Sequence, residues 1–270
     1  MHFWKRQSTT REARYLAGQL PPASSRPSTL HFTLHKCASV YLRTKLHSLA
    51  DLIGLAPLDL DGYFFDSAQP QPFVVRPRGY FYGPFRCLDD AFGVRREWPD
   101  LTGYKLIVVL RDPRDVLTSL YFSTAFSHRT PKGEGRDEFL SLRDEAQHVD
   151  INDYVRREAD VFLRRYQAYF RLAARYDVHL TTYEQLVTEP QTWLDALLAY
   201  LGVELSTWRR RRLISPQDFA IKREDPKAHF RQVQPGDHLR KLSDETIAWL
   251  NSKFAEVLAW YGENQQKAAA

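Results

Sequence analysis

The chain has 270 residues, 43% of them hydrophobic, with 38 Lys and Arg against 33 Asp and Glu. That is ample for a buried core, while a formal charge of +5 is too small an excess to mark a nucleic-acid-binding protein by itself. No run of about 18 apolar residues is present to span a membrane, and the start MHFWKRQSTTREARYL lacks the apolar centre of a secretory signal, so a cytoplasmic protein is expected.

In chain order, residues 1–27 read as a basic, flexible tail ending in the linker PPASSRP, with room for one helical turn around Tyr15. Strands are expected at Leu30–Leu34, at Phe73–Val75 or Phe81–Gly83, at Tyr104–Leu110 and at Val178–Thr182. The run KLIVVL is continuously aliphatic and suits a central strand buried on both faces. Asp112 then serves as N-cap, Pro113 as the first helical residue and Asp115 as the acid of the first turn. Other helices are expected at about Ser39–Ile53, Asn152–Ala174, Gln191–Leu201 and Asp244–Tyr261, with apolar residues three and four apart. Gly202 closes the helix before it. The polar stretch 126–150 reads as a surface excursion or a lid, and residues 263–270 as a frayed end. Alternation of strands and helices predicts one three-layer α/β domain over 28–262, a central parallel sheet flanked by helices.

Cys37 and Cys87, without CxxC spacing, read as free thiols in a reducing compartment rather than as a metal site. Two strand-to-helix turns carry the chemistry. The start of a helix leaves backbone N–H groups unpartnered, and with the helix dipole these hold an anion. In LHKCASVYL, Lys36 and Ser39 add a cation and a hydroxyl to such a turn. The GxxxxGK[ST] loop that wraps a triphosphate is missing its glycines, which points to a ligand with a single 5′-phosphate. At the second turn, Arg111 ends the buried strand. Ser119 leans back towards it, because helical side chains tilt to the N-terminus.

Together these segments resemble the sulfotransferases that use 3′-phosphoadenosine-5′-phosphosulfate (PAPS), whose fold is P-loop NTPase-like. HKCASVYL is similar to the family's PKSGTTWL, with Lys36, Cys37, Ala38, Ser39, Val40 and Tyr41 in register; RDPRDVLTSLY is similar to RNPKDVAVSYY. The resemblance implies that Arg111 and Ser119 hold a 3′-phosphate, that Tyr183 in TTYEQLV lies near the adenine, and that Phe219 in SPQDFAIK packs on it. FRQVQPGDHLRKLSDE looks like RKGxxGDWxxxLT, which implies that Arg231 closes over the 3′-phosphate, with Gly236 and Asp237 in register. The chain departs from the pattern at Ala38, in place of glycine, and at Val40, in place of a hydroxyl. A histidine base is missing from FYGPFR. LDGYFFDS resembles the segment carrying a glutamate base in glycosaminoglycan 3-O-sulfotransferases, which implies Asp61 as base; Asp59, Asp66, His47 and His128 stay open.

On this resemblance Lys36 bridges the 5′-phosphate and the sulfuryl oxygens, and no metal is required. The acceptor is a hydroxyl or amine compound, a glycan or a small hydroxylated metabolite. RRRR at 209–212 is either a contact for an acidic partner or a solvated helix end. Two readings compete with it: an Mg²⁺- and ATP-dependent small-molecule kinase, and a non-catalytic RNA-binding protein with steep salt dependence.

Overall fold

A computed structural model describes residues 10–67, 70–91, 94–131, 135–220 and 233–269. Its centre is a five-stranded parallel sheet in the order β2 (Ala56–Leu58), β3 (Tyr80–Phe85), β1 (Thr29–Thr33), β6 (Lys105–Leu110) and β7 (Val178–Thr182). A two-residue antiparallel pair, β4 (Asp90–Ala91) with β5 (Val94–Arg95), stands apart from it.

Strand alternation divides the core into two layers. Leu30, Phe32, Leu106, Val108 and Leu110 bury on one face against α6 (Ile151–Arg175), which offers Phe162, Tyr166 and Tyr169, and against Val116 and Leu117 of α4 (Pro113–Phe122). Ile107, Val109 and Phe81 bury on the other face against α2 (Ser39–Leu52) and α8 (Pro190–Leu201), through Leu42, Leu46, Leu49, Leu194 and Leu197. Burial on both faces is why KLIVVL carries no polar residue after Lys105.

Several local readings differ from the sequence expectation. Residues 10–27 are not a loose tail: α1 (Arg11–Leu16) forms, and Tyr15 is buried, its hydroxyl 2.9 Å from that of Tyr82. The second strand is Tyr80–Phe85, and residues 73–75 lie outside the sheet. Between β2 and β3, α3 (Leu60–Ser67) forms where the sequence reading assigned no element. The stretch 126–150 contains the end of a π-helical turn, Ser123–Ser127, and the amphipathic helix α5 (Gly135–His148). The expected last helix breaks at Phe254 into α11 (Asp244–Lys253) and α12 (Ala255–Ala269), because the buried Phe254 closes the first of them; α12 runs into the stretch expected to fray. The remaining short helices are α7 (Tyr183–Thr188), α9 (Thr207–Leu213) and α10 (His238–Lys241). Among the described residues no helix is long and apolar enough to cross a membrane.

Candidate active site

The strand order fixes where a site can form. From β1 the chain crosses to β2, on one side of the sheet; from β6 it crosses to β7, on the other. Between β1 and β6 the order reverses, and crevices outside the carboxyl ends of strands at such a switch are where α/β sheets bind ligands. The turns bearing Lys36 and Arg111 leave from these two strand ends.

In the first turn Lys36 and Ala38 adopt left-handed backbone angles, φ +70° and +57°. Ala38 occupies the N-cap of α2 without a side-chain capping bond, so the start of this 14-residue helix has no side-chain acceptor from its cap. Ser39 follows, and Arg86 Nε donates to its hydroxyl at 3.2 Å. In the second turn the Asp112 carboxylate caps α4, accepting from Arg114 N at 2.9 Å. Arg111 is buried: its guanidinium donates to the Lys36 carbonyl at 3.2 Å, lies 3.5 Å from Asp115 and stacks 4.3 Å from the centre of the Tyr183 ring. Its Nε is buried and has no hydrogen-bond partner among the described residues. An unmatched guanidinium N–H in such a place is costly, and an anion beside it would relieve that cost.

One cavity of about 440 Å³ gathers Lys36, Ala38, Ser39, Val40, Tyr41, Arg111, Ser119, Tyr183 and Phe219. Cys37 lies within the same turn, but its side chain points into the core, where burial pushes the thiol up to about 12. Arg231 lies outside the described residues. The sequence reading missed Asp218 and Lys45, which line the same cavity. The Tyr41 hydroxyl donates to Asp218 at 2.8 Å, Lys45 pairs with that oxygen at 2.8 Å, and the Tyr41 and Phe219 rings meet at 5.0 Å. It also missed the role of Asp115. This carboxylate accepts from Gly236 N at 2.7 Å, from His238 N at 3.0 Å and from His238 Nδ1 at 2.6 Å, so that the GDH segment is tied to the helix that follows Arg111. Burial alone would raise the Asp115 carboxyl, but His238 and Arg111 hold it well below the usual carboxylate range.

The candidate bases differ in surroundings. Asp61 sits in the first turn of α3 and is buried; it pairs with Arg96 and accepts from Arg86 N at 3.0 Å. Burial raises its carboxyl, and the two arginines oppose that rise. Asp59 accepts from Gly62 N at 2.8 Å and pairs with Arg43, which explains it as a cap of α3. His47 contacts the Gly83 carbonyl at 2.8 Å, Asp66 pairs with Arg129 at the surface, and a ring nitrogen of His128 lies 2.8 Å from the Arg129 carbonyl. His35, beside Lys36 and only partly exposed, has its imidazole held well below the ordinary histidine range by burial and then by Arg86 and Arg165.

A parallel α/β sheet whose switch point carries a helix start, a lysine and a buried arginine is suited to holding an anionic ligand. A sulfotransferase domain matches residues 101–247, more than half of the chain, and the chain belongs to that family; its chemistry is sulfuryl transfer. Among solved structures, mouse sulfotransferase SULT7A1 complexed with PAP is similar over 96% of this chain and 94% of its own, at 15% identity and a TM-score of 0.52. A retinol dehydratase structure with androsterone and inactive cofactor PAP is similar over 87% and 81%, at 14% identity and a TM-score of 0.49. Comparison with curated proteins finds no match.

Proposed function

We propose that this protein transfers the sulfuryl group of PAPS to a hydroxyl or amine of a glycan or a small hydroxylated metabolite. The observation that carries the cofactor assignment is the convergence of Lys36 and of Arg111, whose Nε has no partner among the described residues, on one cavity from the ends of adjacent strands. Two separated cations suit a nucleotide with phosphates at both the 5′ and 3′ positions. A triphosphate would place its charge along one loop.

In this reading the acceptor oxygen or nitrogen attacks sulfur, a bond to sulfur forms, and the bond from sulfur to the 5′-phosphate oxygen breaks. The phosphate leaves with the electron pair. Lys36 neutralises the charge growing on it, and the helix start supplies N–H groups to the same end. Arg111 and Ser119 hold the 3′-phosphate, and Tyr183 and Phe219 hold the base. The acceptor's proton goes to a carboxylate, for which Asp61 is the candidate; to take it, Asp61 must give up its contact with Arg96. A general base contributes roughly 10²–10⁴-fold.

The test is thermal unfolding in EDTA with adenosine 3′,5′-bisphosphate, and in parallel with ATP plus Mg²⁺. A ligand at about 100 times its dissociation constant adds roughly 2.7 kcal/mol, so the bisphosphate is expected to raise Tm clearly and Ser119→Ala to diminish the rise. A rise with ATP and none with the bisphosphate would mean a kinase instead. Lys36→Ala is expected to keep the fold and lose about 10²–10³ in transfer of labelled sulfate.

A further inference from the structure

A second cavity lies apart from the nucleotide cavity. It measures about 620 Å³ and lies between α3, residues 70–75 and residues 95–99. Phe64, Phe73, Val75 and Trp98 line it, and packing holds its rings in place. Trp98 stands edge-on to Phe32 at 5.1 Å and to Phe85 at 5.0 Å, with Nε1 donating to the Leu88 carbonyl at 2.7 Å. Phe73 stacks on Phe85 at 5.8 Å with 7° between the planes. Walls of fixed aromatic planes favour a flat ring system, and the volume is that of a small-molecule site. Val74, also in the lining, is 73% exposed and so offers apolar surface to a ligand rather than to the core.

The polar edge of this cavity is Arg95, Arg96 and Glu97, two cations to one acid. Arg95 is exposed and has no ion-pair partner among the described residues, so an acidic group on the ligand is favoured. Arg96 is nearly buried and paired with Asp61. Asp61 in turn accepts from Arg86 N at 3.0 Å, and Arg86 Nε donates to Ser39 Oγ at 3.2 Å, in the wall of the nucleotide cavity. Unbroken polar contacts therefore join the two cavities.

We propose that this cavity is a second ligand site, for a flat, largely apolar molecule carrying one acidic group, and that its occupancy is linked to the nucleotide pocket through Arg96, Asp61, Arg86 and Ser39. A carboxylate that reaches Arg96 competes with Asp61 for the guanidinium, and what Asp61 loses there changes its hold on Arg86 and thus on Ser39. Such linkage is reciprocal, each ligand shifting the affinity of the other by one factor. The linkage rests on the nucleotide reading; the occupancy does not.

The probe is 2-naphthoate, titrated into the full chain without nucleotide and followed by calorimetry and tryptophan fluorescence. Saturable one-to-one binding is expected, weakened at least about tenfold by Val74→Glu and about threefold by Arg95→Ala, with the uncharged 2-naphthamide binding less tightly. Both substitutions lie at exposed positions and leave the fold alone. Absence of saturable binding, or an affinity that neither substitution moves, overturns the site. Adenosine 3′,5′-bisphosphate is then titrated with and without saturating naphthoate, and its affinity is expected to change at least about threefold. Equal affinities overturn the linkage and leave the site standing. Failure of the bisphosphate to bind at all would sink the nucleotide reading and the linkage with it.

Discussion

Ala38 shows how a single residue can be legible as an oddity and still need the structure to be understood. In sequence it is an alanine where the resembling family carries glycine; in the fold it adopts φ +57° at the start of α2. A Cβ in the left-handed region costs roughly 1–2 kcal/mol, and glycine gives back about 0.5–1 kcal/mol of that through its greater freedom in the unfolded chain. Ala38→Gly is therefore expected to stabilise the protein by about 0.5–1 kcal/mol in urea unfolding; a destabilised variant would show that the methyl group packs usefully. Asp115 is the opposite case, unremarked in sequence beyond its place in a first helical turn. Buried between Arg111, His238 and the Gly236 amide, it satisfies donors from two segments far apart in the chain. Removing one partner of a buried charged cluster costs about 3–5 kcal/mol, and Asp115→Ala should lose that much stability, together with affinity for adenosine 3′,5′-bisphosphate. A loss below about 1 kcal/mol would show that the cluster holds nothing together.

At the scale of elements, what could be read in sequence were the segments whose pattern is strong on its own. KLIVVL and the capped DPRD turn are such segments, and so is the long amphipathic helix from Ile151 to Arg175. β2 escaped because three residues, Ala56–Leu58, carry no period. α3 escaped because eight residues, four of them GYFF, carry no helical period on their own, and Asp59 shows as its cap only in the fold. The break at Phe254 was invisible because apolar spacing continues through it. β3 illustrates a signal that was present and not used. Gly83 has φ +118°, and a Cβ there would lie 2.4 Å from the His31 carbonyl oxygen, so this strand can pass β1 only with glycine. Gly83→Ala is expected to cost more than about 2 kcal/mol, since it combines a strained backbone with a backbone clash. Equilibrium unfolding measures it, and a near-neutral result would mean that the two strands can separate at low cost.

For the molecule as a whole, the candidate site was legible in pieces, each turn carrying its own chemistry, while the pairing of turns depended on strand order, which periodicity does not encode. Nothing in the sequence placed β1 beside β6, or brought Tyr41 to Asp218. The same blindness to packing hid the histidines whose burial sets the response of the whole fold to acid. His31 lies in the interior of β1 with both ring nitrogens unpartnered among the described residues, and burial, followed by the nearby His47 and Arg86, lowers it to about 3. His179 on β7 is lowered to about 4, again chiefly by burial. In the unfolded chain both titrate near 6.5. The unfolded state therefore takes up protons as pH falls below about 6.5, the folded state does not until about 3–4, and stability present above that window is lost through it. At pH 5 each histidine costs about 2 kcal/mol relative to pH 8. Asp61 and Glu184 work the other way, because burial raises both carboxyls and the folded state gains protons there first. His31, His35 and His179 set the onset, since they begin to act at higher pH. Urea unfolding at pH 8 and pH 5 should show a marked loss at the lower value, and His31→Phe, which keeps ring and burial but not the proton site, should remove about 2 kcal/mol of it. An unchanged pH dependence in that variant would place the acid sensitivity elsewhere, with His35 and His179.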